Sequence, residues 1–228
     1  MANEEYTEIQ DLTADQLKEK ANNIFEKNKT LIGGSIALLF ILIVGLYVYT
    51  TSYKIPREAA AQEELYKADN QLKRDSFTLA LNGVEVPGQA NNFIGYVGII
   101  KEYGGTPAAN LAHYSAGIST LKIGQPKLAL EYLSNFSGEE LLQTQAYTLM
   151  GDAASELGDF DAALGHYQTA SNNTKNLSIA LYAKHKAGRL LEYQKKNEEA
   201  KKVYQEIMDA DKQIGEKLGA DKDLVRLK

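Results

Sequence analysis

Residues 150–170 read MGDAASELGDFDAALGHYQTA, and the small residues in this stretch recur at a fixed distance. Gly151, Gly158, Ala163 and Leu164 each stand 34 residues after Gly117, Gly124, Ala129 and Leu130. The spacing of twelve in Gly117/Ala129 and Gly151/Ala163 returns in Gly188/Ala200. A period of this size marks stacked helical hairpins, each leaving an apolar face that only a neighbouring hairpin buries. A fainter copy lies upstream, where Ala68 and Ala80 stand twelve apart in AAAQEELYKADNQLKRDSFTLALNG, residues 59–83.

The residue types fit helix crossings. A missing or minimal side chain lets two helices of a hairpin approach, and a bulky one would wedge them apart. Phe160, Tyr167 and Tyr204 are expected to fill space between hairpins, while Gly124 and Gly158 supply a left-handed turn after each first helix. Lys195 stands in that place in the third unit and leaves its turn without a glycine. Within the middle unit, Ala146, Leu149, Met150 and Ala153 stripe one helix, and Ala162, Ala163, Tyr167 and Ala170 stripe its mate. The stretch 83–105 interrupts the array. A loop holding Pro87 and Gly88 should precede a short helix from about Asn91 to Tyr103, with Phe93, Val97 and Ile100 packed on the array.

Upstream of the array, no charged residue occurs from Thr30 to Tyr53, and Leu31–Thr50 reads LIGGSIALLFILIVGLYVYT. At about 1.5 Å per residue such a helix crosses a hydrocarbon layer of about 30 Å. Tyr47, Tyr49 and Tyr53 sit where an aromatic belt belongs. A buried core helix is the rival reading. A cleaved signal peptide fits less well, because the charged lead is long and no small-x-small cleavage site follows Thr50. Lys18, Lys20, Lys27 and Lys29 precede the span while only Lys54 and Arg57 follow closely, a bias that keeps the N-terminus inside. In the lead, Thr13 opens a capping-box pattern with Gln16, followed by Leu17, Ala21, Ile24 and Phe25 at helical spacing. Residues 1–12 are acidic and read as disordered.

The expected class is therefore all-α: one N-terminal transmembrane helix followed by an α-solenoid. The expected divisions are a cytoplasmic lead with a short helix (1–29), the span in contact with membrane lipid (30–53), a membrane-proximal hairpin with an inserted loop and helix (54–106), three hairpins (107–209) and a C-terminal tail (210–228).

Composition narrows the function. The chain has 228 residues, a net charge of -5 and no cysteine. An acidic balance supplies no basic field for phosphates, so nucleic acid is not an expected partner. The lack of cysteine excludes disulfides, thiolate metal sites and cysteine nucleophiles. His113, His166 and His185 are too scattered to pair on one helix face as metal ligands. Neither His113 nor His166 has a carboxylate or nucleophile at a spacing that would build a catalytic site. Gly104-Gly105 lacks the lysine and hydroxyl residue of a phosphate loop. Glu139/Glu140 and Glu198/Glu199 read as charges favouring helix N-termini. No cofactor, metal or enzymatic activity is expected.

Residues 150–170 resemble a tetratricopeptide repeat, with the family's glycine, glycine, alanine and following aromatic at their usual offsets. Ala154 stands at the usual first-helix tyrosine position. The whole layout resembles the YfgM-like ancillary proteins of the bacterial Sec translocon, and YGGTPAANLAHYSAGISTLKIGQPKLALEYL, residues 103–133, resembles their Bacteroidota members in particular. The resemblance implies a single-pass protein of the bacterial inner membrane with its C-terminal domain in the periplasm. It implies association with SecYEG and with a membrane-anchored periplasmic chaperone of the PpiD type, in the handling of newly translocated polypeptides. An envelope scaffold that coordinates outer-membrane assembly or cell division is the alternative.

In such arrays the first helices line the concave face. That offset maps to Tyr114, Ile118 and Lys122 in the first unit and to Thr148, Asp152 and Ser155 in the second. In the third it maps to Tyr182, His185, Arg189 and Tyr193. Tyrosine, one arginine and small polar groups suit the gripping of a helix or an extended segment.

Overall fold

The computed structural model describes residues 13–84, 92–172 and 175–227. Among these residues the regular structure is entirely helical, and the one extended pairing is an isolated antiparallel bridge between Val84 and Phe93. The lead segment 1–12 and the loop around Pro87 and Gly88 lie outside the described residues. The chain forms two compact units, Met1–Pro56 and Arg57–Lys228.

In the first unit, helix α1 (Ala14–Tyr49) starts behind Thr13, whose backbone N–H donates to Gln16 Oε1 at 3.0 Å. It runs unbroken through the charged lead and the apolar stretch. A π-helical segment, Thr50–Lys54, follows. There the Thr50 and Thr51 hydroxyls donate back to the carbonyls of Leu46 and Tyr47 at 2.7 and 2.8 Å, the kind of side-chain competition that loosens a helical ladder. No residue of α1 is buried. Its apolar stretch is long and apolar enough to cross a membrane. Within it Phe40 and Ile41 are 66% and 68% exposed.

The second unit comprises α2 (Ile55–Leu72), which begins just before it, α3 (Phe77–Asn82), α4 (Gly95–Glu102), α5 (Pro107–Lys122) and α6 (Pro126–Ser134). It continues with α7 (Glu140–Glu156), α8 (Phe160–Ser171), α9 (Leu177–Tyr193), α10 (Asn197–Ala210), α11 (Lys212–Leu218) and α12 (Ala220–Arg226). The helices α5/α6, α7/α8 and α9/α10 form three hairpins, each packed on the next, with α5 against α7 and α7 against α9. Side-chain caps start several helices: Thr106, Asp159 and Asn176 accept from the backbone N–H groups of Ala109, Ala162 and Ile179. Glu140 and the pair Glu198/Glu199 do lie in the first turns of α7 and α10.

One register governs all three hairpins. A Cβ added to Gly117, Gly151 or Gly188 would lie 2.5, 2.4 or 2.6 Å from the side chain of Leu133, Tyr167 or Tyr204 respectively. Each of those partners stands sixteen residues after its glycine. Ala129, Ala163 and Ala200 are fully buried at the same crossings. Tyr167 and Tyr204 thus fill a notch inside their own hairpins, and Tyr167 also clusters with Leu190 of the next hairpin. The glycine leaves room for a ring only in the partner helix. Phe160 does bridge units, meeting Tyr193 edge-on at 5.5 Å between ring centroids.

The first helices end alike. In α5 and α7 the chain turns through Gly124 (φ 73°) and Gly158 (φ 80°), and Lys195 (φ 64°) takes the same left-handed conformation in the third unit. Backbone bonds from Gln125 to Thr120, Asp159 to Ala154 and Lys196 to Leu191, at 2.8, 3.0 and 2.9 Å, close the same Schellman turn each time. The third turn survives the loss of its glycine, at the cost of a side chain in a left-handed well.

That register extends to the region before the three hairpins. Asp75, seven residues after the fully buried Ala68, has φ 55°, and Ser76 N–H closes the same turn on Gln71 at 3.0 Å. Ala80 is fully buried, as Ala129, Ala163 and Ala200 are. The aromatic expected four residues later is displaced. Gly83 and Gly95 come together so closely that a Cβ on either would lie 2.2 or 2.3 Å from backbone. Tyr96, the next residue, is fully buried and donates to Asp69, as Tyr167 donates to Asp152. Helices α3 and α4 together stand in the place of one second helix. Helix α4 spans Gly95–Glu102 instead of starting near Asn91, which lies outside the described residues. Phe93 is buried and Ile100 packs on the core, but Val97 turns outward at 37% exposure.

The expected C-terminal tail is helical over most of its described residues, 210–227. Helices α11 and α12 pack on the third hairpin through Gly215, set against Met208, and the fully buried Ala220.

Candidate functional site

Two adjoining cavities open along the first helices of the hairpins. The first, about 370 Å³, collects Tyr114 and Ile118 from α5, Gln145, Thr148, Leu149 and Asp152 from α7, and Ser178, Ile179, Tyr182 and Lys186 from α9. Three successive units therefore contribute to one concavity. The second, about 420 Å³, is lined by Ser155 and Glu156 of α7, Gly158 and Phe160 after it, Tyr167 of α8, and Lys186, Arg189, Leu190 and Tyr193 of α9.

Asp152 organises the boundary between them. Its carboxylate accepts the Tyr167 hydroxyl at 2.6 Å and the Lys186 ammonium at 2.8 and 3.0 Å. Burial, then the hydrogen bond to Asp152 and its charge, hold the Tyr167 phenol well above its ordinary pKa, so it remains a donor. Lys186 also lies 5.3 Å from the centroid of the Tyr182 ring. The charge of Lys186 is thus cancelled inside the groove. Tyr182 and Tyr193 stay 45% and 71% exposed at its rim. Tyr114 donates to Gln145 at 2.9 Å and fixes α5 to α7 at the other end.

The sequence-derived residues divide accordingly. Tyr114, Ile118, Thr148, Asp152 and Tyr182 line the first cavity, and Ser155, Arg189 and Tyr193 the second. Lys122 is exposed and lines neither. His185 is not a groove residue. It is 9% exposed, tilted against the Tyr204 ring at 5.4 Å, with Nε2 2.8 Å from Asp223 Oδ2. It shares the register position of Tyr114 and Thr148, three residues before the crossing glycine, but its side chain is taken up by α12 through Asp223. Lys186 was missed, although Tyr182, Lys186, Arg189 and Tyr193 share one face at helical spacing.

A second polar cluster closes the far end. Glu192 accepts the Tyr204 hydroxyl at 2.6 Å and pairs with Arg226, which also pairs with Asp223. Burial alone would raise the Glu192 and Asp223 carboxyls. Hydrogen bonds from Arg226, with Tyr204 on Glu192 and His185 on Asp223, outweigh it and leave both below the usual carboxylate range. Helix α12 thereby occupies the place of a further hairpin.

Burial lowers the pKa of His113 and of His166. His113 packs beside the Tyr132 ring. Among the described residues no group of three or more His, Asp or Glu side chains is arranged to hold a metal ion. No known protein family, curated protein or solved structure matches the chain.

Proposed function

We propose that Arg57–Lys228 is a tetratricopeptide-type interaction domain held at a membrane by the single apolar helix before it, and that its first-helix groove receives a polypeptide segment. The observation that carries this reading is the first cavity. Three successive hairpins each offer side chains to it, and its one ion pair is internal, so the surface left for a partner is apolar with an aromatic rim. Such a surface, built on rigid helices, suits recognition and offers no reacting group.

The resemblance of residues 103–133 extends the proposal to location and partner. The chain is then an ancillary subunit of SecYEG, working beside a PpiD-type chaperone, with its N-terminus cytoplasmic and its repeats in the periplasm. Affinity purification of the detergent-solubilised chain tests this extension. SecY or a membrane-anchored chaperone should be recovered with the wild type and reduced with Tyr182→Ala. Recovery of division or outer-membrane assembly proteins, without translocon subunits, would support the scaffold alternative instead.

A further inference from the structure

We infer that the groove prefers a segment pairing a bulky uncharged side chain with a carboxylate about 10 Å further along, the first seated in the cavity under Tyr182 and the second on Arg189. The inference rests on the groove being a polypeptide site and adds what that polypeptide must carry.

The argument is one of charge. Two cations face the groove from α9, Lys186 and Arg189. Lys186 is neutralised by both carboxylate oxygens of Asp152 and gives a partner no net charge. Arg189 is exposed and makes no hydrogen bond or ion pair among the described residues. Glu156 lines the same cavity from α7 but does not pair with it. An incoming carboxylate therefore meets a guanidinium with its donors unspent, and carboxylates match that fork in two-point contact. The cavity below Tyr182 is of the opposite character, because Tyr114, Ile118, Leu149 and Ile179 surround an ion pair already closed. A charged side chain entering it would lose water without gaining a partner.

Spacing fixes the register. Tyr182 and Arg189 are two turns apart on α9, about 10 Å at 1.5 Å per residue. Three residues of extended chain cover about the same distance. A segment with Phe at one position and Glu three positions later satisfies both points.

The test is direct binding of synthetic Gly/Ser peptides to the full chain in detergent, read by fluorescence anisotropy. The peptide with Phe and Glu should bind about tenfold more tightly than its Glu-to-Lys counterpart. Arg189→Glu should invert that preference, and Glu156→Gln should enhance binding of the acidic peptide. Because Arg189 and Glu156 are exposed, neither change disturbs the fold. Equal binding of the two peptides, or a preference unmoved by Arg189→Glu, overturns the acidic register. If both peptides bind equally and Tyr182→Ala weakens both, the groove itself still stands. Binding of neither peptide overturns the inference and the groove reading together.

Discussion

Gly151→Ala is the smallest change that strikes the repeat register. The new methyl would lie 2.4 Å from Tyr167 Cε1 and 2.5 Å from Cδ1, where ordinary carbon contacts need about 3.5–4.0 Å. The ring must retreat by about 1 Å. Its retreat is opposed because it is 4% exposed and tied by its hydroxyl to Asp152 at 2.6 Å. Overpacking of this kind costs about 1–3 kcal/mol, and loosening a hydrogen bond to a charged group costs about 1.5–3 kcal/mol. Alanine's higher helix propensity returns about 1 kcal/mol. The net expectation is a loss of about 1.5–5 kcal/mol, or roughly 3–20 °C in Tm for a unit of this size. Thermal unfolding of Arg57–Lys228 followed at 222 nm measures it. In a Tyr167→Ala background the clash is gone, so the same substitution should stabilise by up to about 1 kcal/mol. A Gly151→Ala protein as stable as wild type, or the same penalty in both backgrounds, would refute the packing argument.

Other expectations follow from the same geometry. Lys195→Gly relieves a left-handed side chain at about 1–2 kcal/mol against a glycine entropy cost of about 0.5–1 kcal/mol, so Tm should rise slightly, and a fall would contradict the strain. Ala163→Leu should cost about 1–3 kcal/mol in urea unfolding, because its site is fully buried at a helix crossing. Ending the chain after Ala210 should lower Tm and broaden the transition, whereas an unchanged melt would make α11 and α12 dispensable. Stability should fall as pH drops. His113 and His166 have lowered pKa values, so the unfolded chain takes up protons first as pH passes below 6.5. The depressed carboxyls of Glu192 and Asp223 contribute stability above their ordinary values of 4.5 and 3.8, and this is lost as pH falls through their lower folded values. A Tm that rises on acidification from pH 7 to 5 would contradict these signs.

The repeat was legible because its determinants are single small residues at fixed distances. Gly117, Gly151 and Gly188 declare the crossings, and the structure adds the partner that each admits. The unit before the three hairpins was only half legible. Ala68 and Ala80 show in the sequence, but Tyr96 stands out of step with Tyr167 and Tyr204, and no local signal reveals that Gly83 and Gly95 meet. Helices α11 and α12 escaped for a different reason. Each is a seven-residue helix held more by tertiary contacts than by its own periodicity, α11 through Gly215 against Met208 and α12 through His185 with Asp223 and Glu192 with Arg226. In the groove, the first-helix offset finds Tyr182, Arg189 and Tyr193. Their common face would have added Lys186, whereas nothing local shows that His185 is taken up by Asp223.

Photocrosslinking in intact cells tests the groove most directly. A photoreactive residue at Tyr182 should capture polypeptide partners, while the same residue at Lys127, exposed on the second helix of the first hairpin, should capture few or none. Equal capture from both positions, or capture from Lys127 alone, would contradict the assignment of the first-helix face as the binding surface.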